Sequence, residues 1–180
     1  MDAPKTISRE FMASALREFE RYKTLGEKTF EQLTEEELQH TFHAADNSIA
    51  QIVKHLEGNM RSRWTNFLEE DGEKTWRNRD SEFEKPLSDK AQIEEAWSAG
   101  WQCVFDALEA INESNFTNTV RIRKEPHSII QAVHRQLGHY ASHVGQIVYL
   151  GKSIKGEQWT SLSIPKGKSE EFNKNYFNSK

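Results

Sequence analysis

The stretch "GHYASHVGQIVYLGKS", Gly138 to Ser153, admits two readings that imply different folds. Gly151-Lys152-Ser153 has the form of the close of a phosphate-binding loop, which belongs between a strand and a helix. His139 and His143 stand four residues apart, the spacing that sets two side chains on one face of a helix. The loop pattern requires glycine at position 146, where the chain has Gln146; Gly145 comes one residue too early. Tyr140, Ala141, Val144, Ile147 and Val148 recur at helical intervals, and no strand precedes them. Backbone N–H groups inside a helix are already bonded and cannot cradle a phosphate. The helix reading stands, with Gly151-Lys152 as its expected end, a flexible residue and a cation near the negative pole of the dipole.

Working outward, this fourth helix starts at His127 or Ser128 and carries Ile129, Ala132, Val133 and Leu137 on its apolar face. Three more segments read the same way. The first spans residues 8–25 with an extension toward Leu33, followed by Thr34 and Glu37 as a capping box. The second is capped by Asn47 or Ser48 and runs through Trp64 to Phe67, with Ile49, Ile52, Val53, Leu56 and Met60 as its stripe. The third begins at Ser88 and ends near Ile111. One of its faces is bulky (Trp97, Trp101, Val104, Phe105, Leu108). The other is small (Ala96, Gly100, Cys103, Ala107, Ala110) and invites close helix approach. Residues 68–89 are too polar and aperiodic for a helix and long for a loop, although Trp76 and Phe83 suggest anchoring. Val120 and Ile122 alternate with Arg121 and Arg123, so a short extended piece is expected. The expected fold is all-α. Residues 1–155 form a four-helix bundle with a long crossover between helices 2 and 3, and residues 156–180 form an irregular tail whose "WTSLSIP" segment lies on the bundle or a partner subunit.

The bulk composition agrees. The chain has 180 residues, 36% hydrophobic and 29% charged, with five Trp, four Tyr and ten Phe, which argues against disorder. A net charge of −4 disfavours nucleic acid, which needs a basic face. No apolar segment reaches membrane-spanning length, no leader of signal-peptide type opens the sequence, and a single cysteine allows no internal disulfide. A cytoplasmic location is expected by exclusion. Cys103 sits in the small stripe and reads as packing rather than as a nucleophile; Trp64 and Trp97 read as core rather than as a substrate platform.

The histidine pair carries the chemistry. Neutral imidazoles on one helix face can share a zinc, nickel or iron ion. Tyr140 stands where a zincin has its general-base Glu, so a metallopeptidase is set aside. His55, beside the apolar stripe of helix two, is the best third ligand. His134 is out of phase, His127 lies at the helix mouth, and His40 and His43 precede the second helix.

"NSIAQIVKHLEGNMRSRW" and "HYASHVGQI" together resemble the DinB/YfiT-like superfamily of metal-dependent enzymes. "GNMRSRWTNFLEEDGEKTWRNRDSEF" and "WTSLSIPKGKSEEFN" resemble its uncharacterised YizA-like branch. The resemblance implies a four-helix bundle in which His55, His139 and His143 bind a divalent transition metal, nickel or zinc first and iron or manganese next. It implies a metal-dependent transferase that takes a low-molecular-weight thiol, with a hydrolase as the other enzyme class, and a homodimer. Asn59 and Gln146 are expected to line the pocket. Arg77, Arg79 and Asp80 are expected either as a lid over an anionic substrate or as a self-satisfied ion-pair network bracing the crossover. Val144 departs from the polar residue many relatives carry. No general base is apparent near the histidines, so a non-catalytic metal-binding or dimerising helical module is the competing expectation.

Overall fold

The computed structural model describes residues 6–178. The described chain is mostly helical, with seven α-helices and one two-stranded sheet. Four helices are long: α1 (Ile7–Phe30), α3 (Ile49–Trp64), α5 (Lys90–Glu109) and α6 (Ile129–Lys155). Between them lie α2 (Glu35–Gln39) and α4 (Ser81–Glu84), and α7 (Ser169–Asn178) follows. No helix among the described residues is long and apolar enough to cross a membrane.

Capping chemistry fixes the starts. Ser48 and Ser128 each accept a hydrogen bond from the backbone three residues on, and Gln51 and Gln131 return one, so α3 and α6 open with reciprocal boxes. The expected box of Thr34 and Glu37 opens α2. The third long helix is capped by Asp89, not Ser88, because the Asp89 carboxylate accepts the Gln92 N–H at 2.8 Å.

Two ends differ from expectation. α3 stops at Trp64, since Thr65 is extended and Asn66 turns left-handed at φ 50°. Phe67 nevertheless returns to the core. α6 continues past Gly151-Lys152-Ser153 and stops at Gly156, which takes φ 56°. Gly151 lies buried in mid-helix because a Cβ there would come 2.6 Å from Thr29 Cγ2 of α1. It is a contact glycine, not a terminator.

The long helices close a ring of contacts. α3 packs most extensively on α5 and α1 on α6, while α1–α5 and α3–α6 contacts complete it. At Gly100 in the small stripe of α5, a Cβ would meet Met60 Sδ at 2.9 Å, so α3 does approach there. Each helix sends one large ring to the centre: Phe19, Trp64, Trp101 and Tyr140, all at most 2% exposed. Phe19 lies 5.8–6.0 Å from the other three ring centroids, and Trp101 lies 5.6 Å from Tyr140. Burial of rings this size, in tilted and edge contacts, supplies much of the drive to fold. Trp97 is core as well, stacked edge-on against Phe30.

The chain is not purely α. β1 (Thr119–Ile122) and β2 (Glu125–Ser128) form an antiparallel hairpin that buries Val120 and Ile122. Its turn residues Arg123 and Lys124 both have positive φ, 56° and 66°. Asp71 of the crossover accepts both their N–H groups, at 2.8 and 2.6 Å, and Gly72 N–H reaches Arg121 O at 2.8 Å. The crossover is therefore sewn to the hairpin rather than free. The tail is not wholly irregular either. Its first part lies on α1 and α6, through reciprocal hydrogen bonds of Gln32 with Thr160 and contact of Trp159 at Gly151. Its second part is α7, which buries none of its residues.

Candidate metal centre

One face of α3 is given over to the crossover. Gln51, Lys54, His55 and Gly58 fall on it at helical intervals. Gln51 Nε2 donates to Phe83 O at 2.8 Å; Lys54 Nζ donates to Ser81 O at 2.6 Å and to Lys85 O at 2.8 Å. These bonds satisfy carbonyls that the short α4 leaves open, and they lay Glu82 over Gly58. A Cβ on Gly58 would come 2.5 Å from Glu82 Oε1, so only glycine leaves room for that carboxylate.

Glu82 is 4% exposed. Its Oε2 accepts the Nδ1–H of His55 at 2.8 Å. Arg77 grips the same carboxylate twice, Nε to Oε1 at 2.7 Å and Nη2 to Oε2 at 3.0 Å. Burial pushes the Glu82 carboxyl upward, but the bonds from His55 and Arg77 outweigh it and hold it below its ordinary range. The proton at His55 Nδ1 is thereby fixed, and Nε2 presents its lone pair inward. Phe83 stacks on the outer face of the same imidazole, with centroids 4.9 Å apart.

Across from His55, α6 supplies the pair. His143 Nδ1–H donates to Gln146 Oε1 at 2.8 Å, which again leaves Nε2 as the acceptor nitrogen. His143 Nε2 faces His139 Nε2 at 3.1 Å. Burial foremost, then the neighbouring His143 and His55, pushes the His139 imidazole down to about 4. Burial also lowers His143, against the bond to Gln146. Both are neutral at pH 7, as ligands must be.

The three histidines offer ligand nitrogens that all lie within 4.8 Å of one another, and no other such group of His, Cys, Asp or Glu occurs among the described residues. Two nitrogens each about 2.1 Å from one ion are about 3.0–3.4 Å apart at angles between 90° and 109°. The 3.1 Å between His139 and His143 fits that range. The donor set and the oriented Nδ1–H groups thus suit a divalent transition ion. His40, His43, His127 and His134 do not join the cluster.

The other expected residues divide. Gln146 orients His143. Asn59 is buried; its Oδ1 accepts the Tyr140 hydroxyl at 3.2 Å, and that hydroxyl accepts Trp64 Nε1–H at 2.9 Å. This chain from α3 to α6 ties the site to the aromatic core and sets His55 opposite His139. Arg77 makes the contact that the ion-pair alternative gives it, paired with Glu82 with its side chain 1% exposed. Arg79 reaches a cavity beside His139, and Asp80 is exposed at the start of α4. Val144 points into the core, 2% exposed, and so has no bearing on the site's charge. Cys103 is half-buried beside Thr65, and burial pushes its thiol up, as packing requires.

Residues 6–168 match the model of a protein family of unknown function, DUF1572. The chain belongs to that family. No curated protein matches the chain. Glu82 and Phe83 were not legible as parts of the site, because the family-wide span of residues 6–168 contains many acidic and aromatic residues in polar surroundings and nothing local marks these two. Arg135 and Gln136 did carry a signal. They stand four and three residues before His139, the same spacing that joins His139 to His143.

Proposed function

We propose that this chain is a metal-dependent enzyme built on a DinB/YfiT-like four-helix bundle, a thiol-dependent transferase whose divalent ion is held by His55, His139 and His143. The observation that carries the reading is the pairing of oriented imidazoles with fixed tautomers. His55 is held by Glu82 and His143 by Gln146, with His143 Nε2 turned toward His139 Nε2 and a ligand nitrogen of His55 within 4.8 Å of both. Structural zinc sites are closed by four protein ligands, whereas three histidines leave positions for substrate. A divalent ion there would act as a Lewis acid, lowering the pKa of a thiol or water bound to it. The chain's own residues do the rest. Glu82 holds the proton at His55 Nδ1, Gln146 holds the one at His143 Nδ1, and Phe83 shields the His55 ring from water.

The test is to purify the untagged protein, measure bound metal, and repeat with His139→Ala. About one ion per chain in the parent and loss in the variant support the reading; a parent without stoichiometric metal sinks it. Conjugation assays with common low-molecular-weight thiols then examine the transferase. One observation favours a non-catalytic binding module instead. The acid in contact with the cluster, Glu82, is committed to Arg77 and His55 and is buried, so it is not free to take a proton from substrate. Metal without turnover on any thiol would select that second reading.

A further inference from the structure

Beside the histidines lies a cavity of about 260 Å³, walled by Asn59, Arg63, Arg79, Arg135, Gln136 and His139. Three of these six are guanidiniums and none is a carboxylate, in a chain where acidic residues outnumber basic ones 28 to 24. General basicity therefore does not account for the cluster. Arg63 is partly committed, with Nη2 on Glu73 at 3.0 Å and Nη1 on Gly72 O, yet its Nε is buried without a partner. The side chains of Arg79 and Arg135 have no hydrogen-bond or ion-pair partner among the described residues. They come from different elements, the crossover and α6, so the tertiary fold sets like charges around one space.

The uncharged walls agree. Gln136 is 3% exposed, and its Oε1 is buried without a partner; turning the amide end over makes it a donor. Asn59 spends its Oδ1 on Tyr140, which leaves its amide N–H₂ for the cavity. Guanidiniums and amide donors recognise oxyanions with paired, charge-assisted hydrogen bonds. The volume lies just under the roughly 300–1,000 Å³ of pockets that enclose a drug-sized ligand. It suits one anionic group and not a whole nucleotide.

We propose that this cavity is an oxyanion subsite that holds the carboxylate or phosphate end of a small anionic substrate, with His139 as the wall shared with the three-histidine centre. The subsite stands on the cavity itself; that its ligand is the substrate of the metal centre rests on the reading in the preceding section. From the sequence, Arg77, Arg79 and Asp80 are either an ion-pair brace of the crossover or a lid for anion recognition. The structure keeps Arg79 for it, assigns Arg77 to Glu82, and adds Arg135 from α6.

The experiment uses the full untagged chain stripped of metal by a chelator. Inorganic phosphate and, separately, acetate are titrated at constant ionic strength, and arginine side-chain Nε–H resonances are followed by NMR. Saturable shifts at Arg79 and Arg135 are expected for at least one probe, and the tighter probe names the group. Binding should weaken at least tenfold in Arg79→Gln/Arg135→Gln, two exposed positions whose change leaves the circular dichroism of the parent intact. Shifts that do not saturate, or equal binding by parent and double variant, overturn the subsite. Metal content is measured on parallel samples that were not stripped. Oxyanion binding in a chain that never takes up metal would overturn the metal reading and leave the subsite standing.

Discussion

At the scale of single residues, Glu82 decides most. Among the described residues it is the only carboxylate bonded to the three-histidine cluster, and it is held on three sides, by His55, Arg77 and the space over Gly58. Glu82→Gln keeps an acceptor for His55 but removes the charge that Arg77 grips in a buried setting. Unpairing a buried charge costs about 3–5 kcal/mol, and loss of an outer partner to a ligating His typically lowers metal affinity about 10–100-fold. Competition with a coloured chelator should register the second effect and urea unfolding the first; a variant as stable and as tight as the parent would show that Glu82 merely fills space. His139 sets the response to acid. Its imidazole stays neutral in the folded chain down to about pH 4, while in the unfolded chain it takes a proton near 6.5. Between those values the unfolded state binds more protons, so stability present above pH 6.5 is lost as pH falls toward 4. The unfolding midpoint of the chelator-treated protein, followed across that window, should fall more steeply in the parent than in His139→Gln.

At the scale of elements, the informative pieces are those whose sequence misled. Gly151 has the chemistry of a helix end, yet α6 runs through it because α1 comes too close for any side chain. Helix-stop signals are local, and a glycine required by a neighbouring helix gives the same local signal. The hairpin shows the converse. A primed two-residue turn ordinarily uses Asn-Gly or Asp-Gly, but here Arg123 and Lys124 hold the left-handed region because Asp71 accepts both their N–H groups. The sequence suggested an extended piece and hid the turn. Replacing Arg123 with Asn and Lys124 with Gly should relieve about 1 kcal/mol of backbone strain. The exposed bond of Arg123 to Glu73 that is lost is worth less. A rise of roughly 2–4 °C in Tm is expected, and a fall would mean that the two side chains do more than turn the chain.

At the scale of the whole molecule, the apolar surface is unevenly distributed. α7 stands away from the core with Phe172 and Phe177 at 48% and 72% exposure. Isolated helices of ten residues are marginal in water, so a helix of this length with an apolar face calls for cover, and the expected cover is a second copy of the chain. Light scattering coupled to size exclusion should give twice the chain mass, and Phe172→Ser/Phe177→Ser should halve it; a monomeric parent would refute the dimer. The sequence by itself determined the four long amphipathic helices, the caps Ser48 and Ser128 of two of them, the burial of Trp64 and Trp97, and the two histidines on one face of α6. All of these follow from spacings of three or four residues, which backbone geometry converts directly into a shared face. Tertiary structure alone decided that Glu82 and Arg77 orient His55, that Gly151 lies mid-helix, and that Arg79 and Arg135 flank one cavity. Those groups meet across tens of residues of chain. What brings them together is the packing of Phe19, Trp64, Trp101 and Tyr140 and the fastening of the crossover onto α3, and no local pattern encodes either.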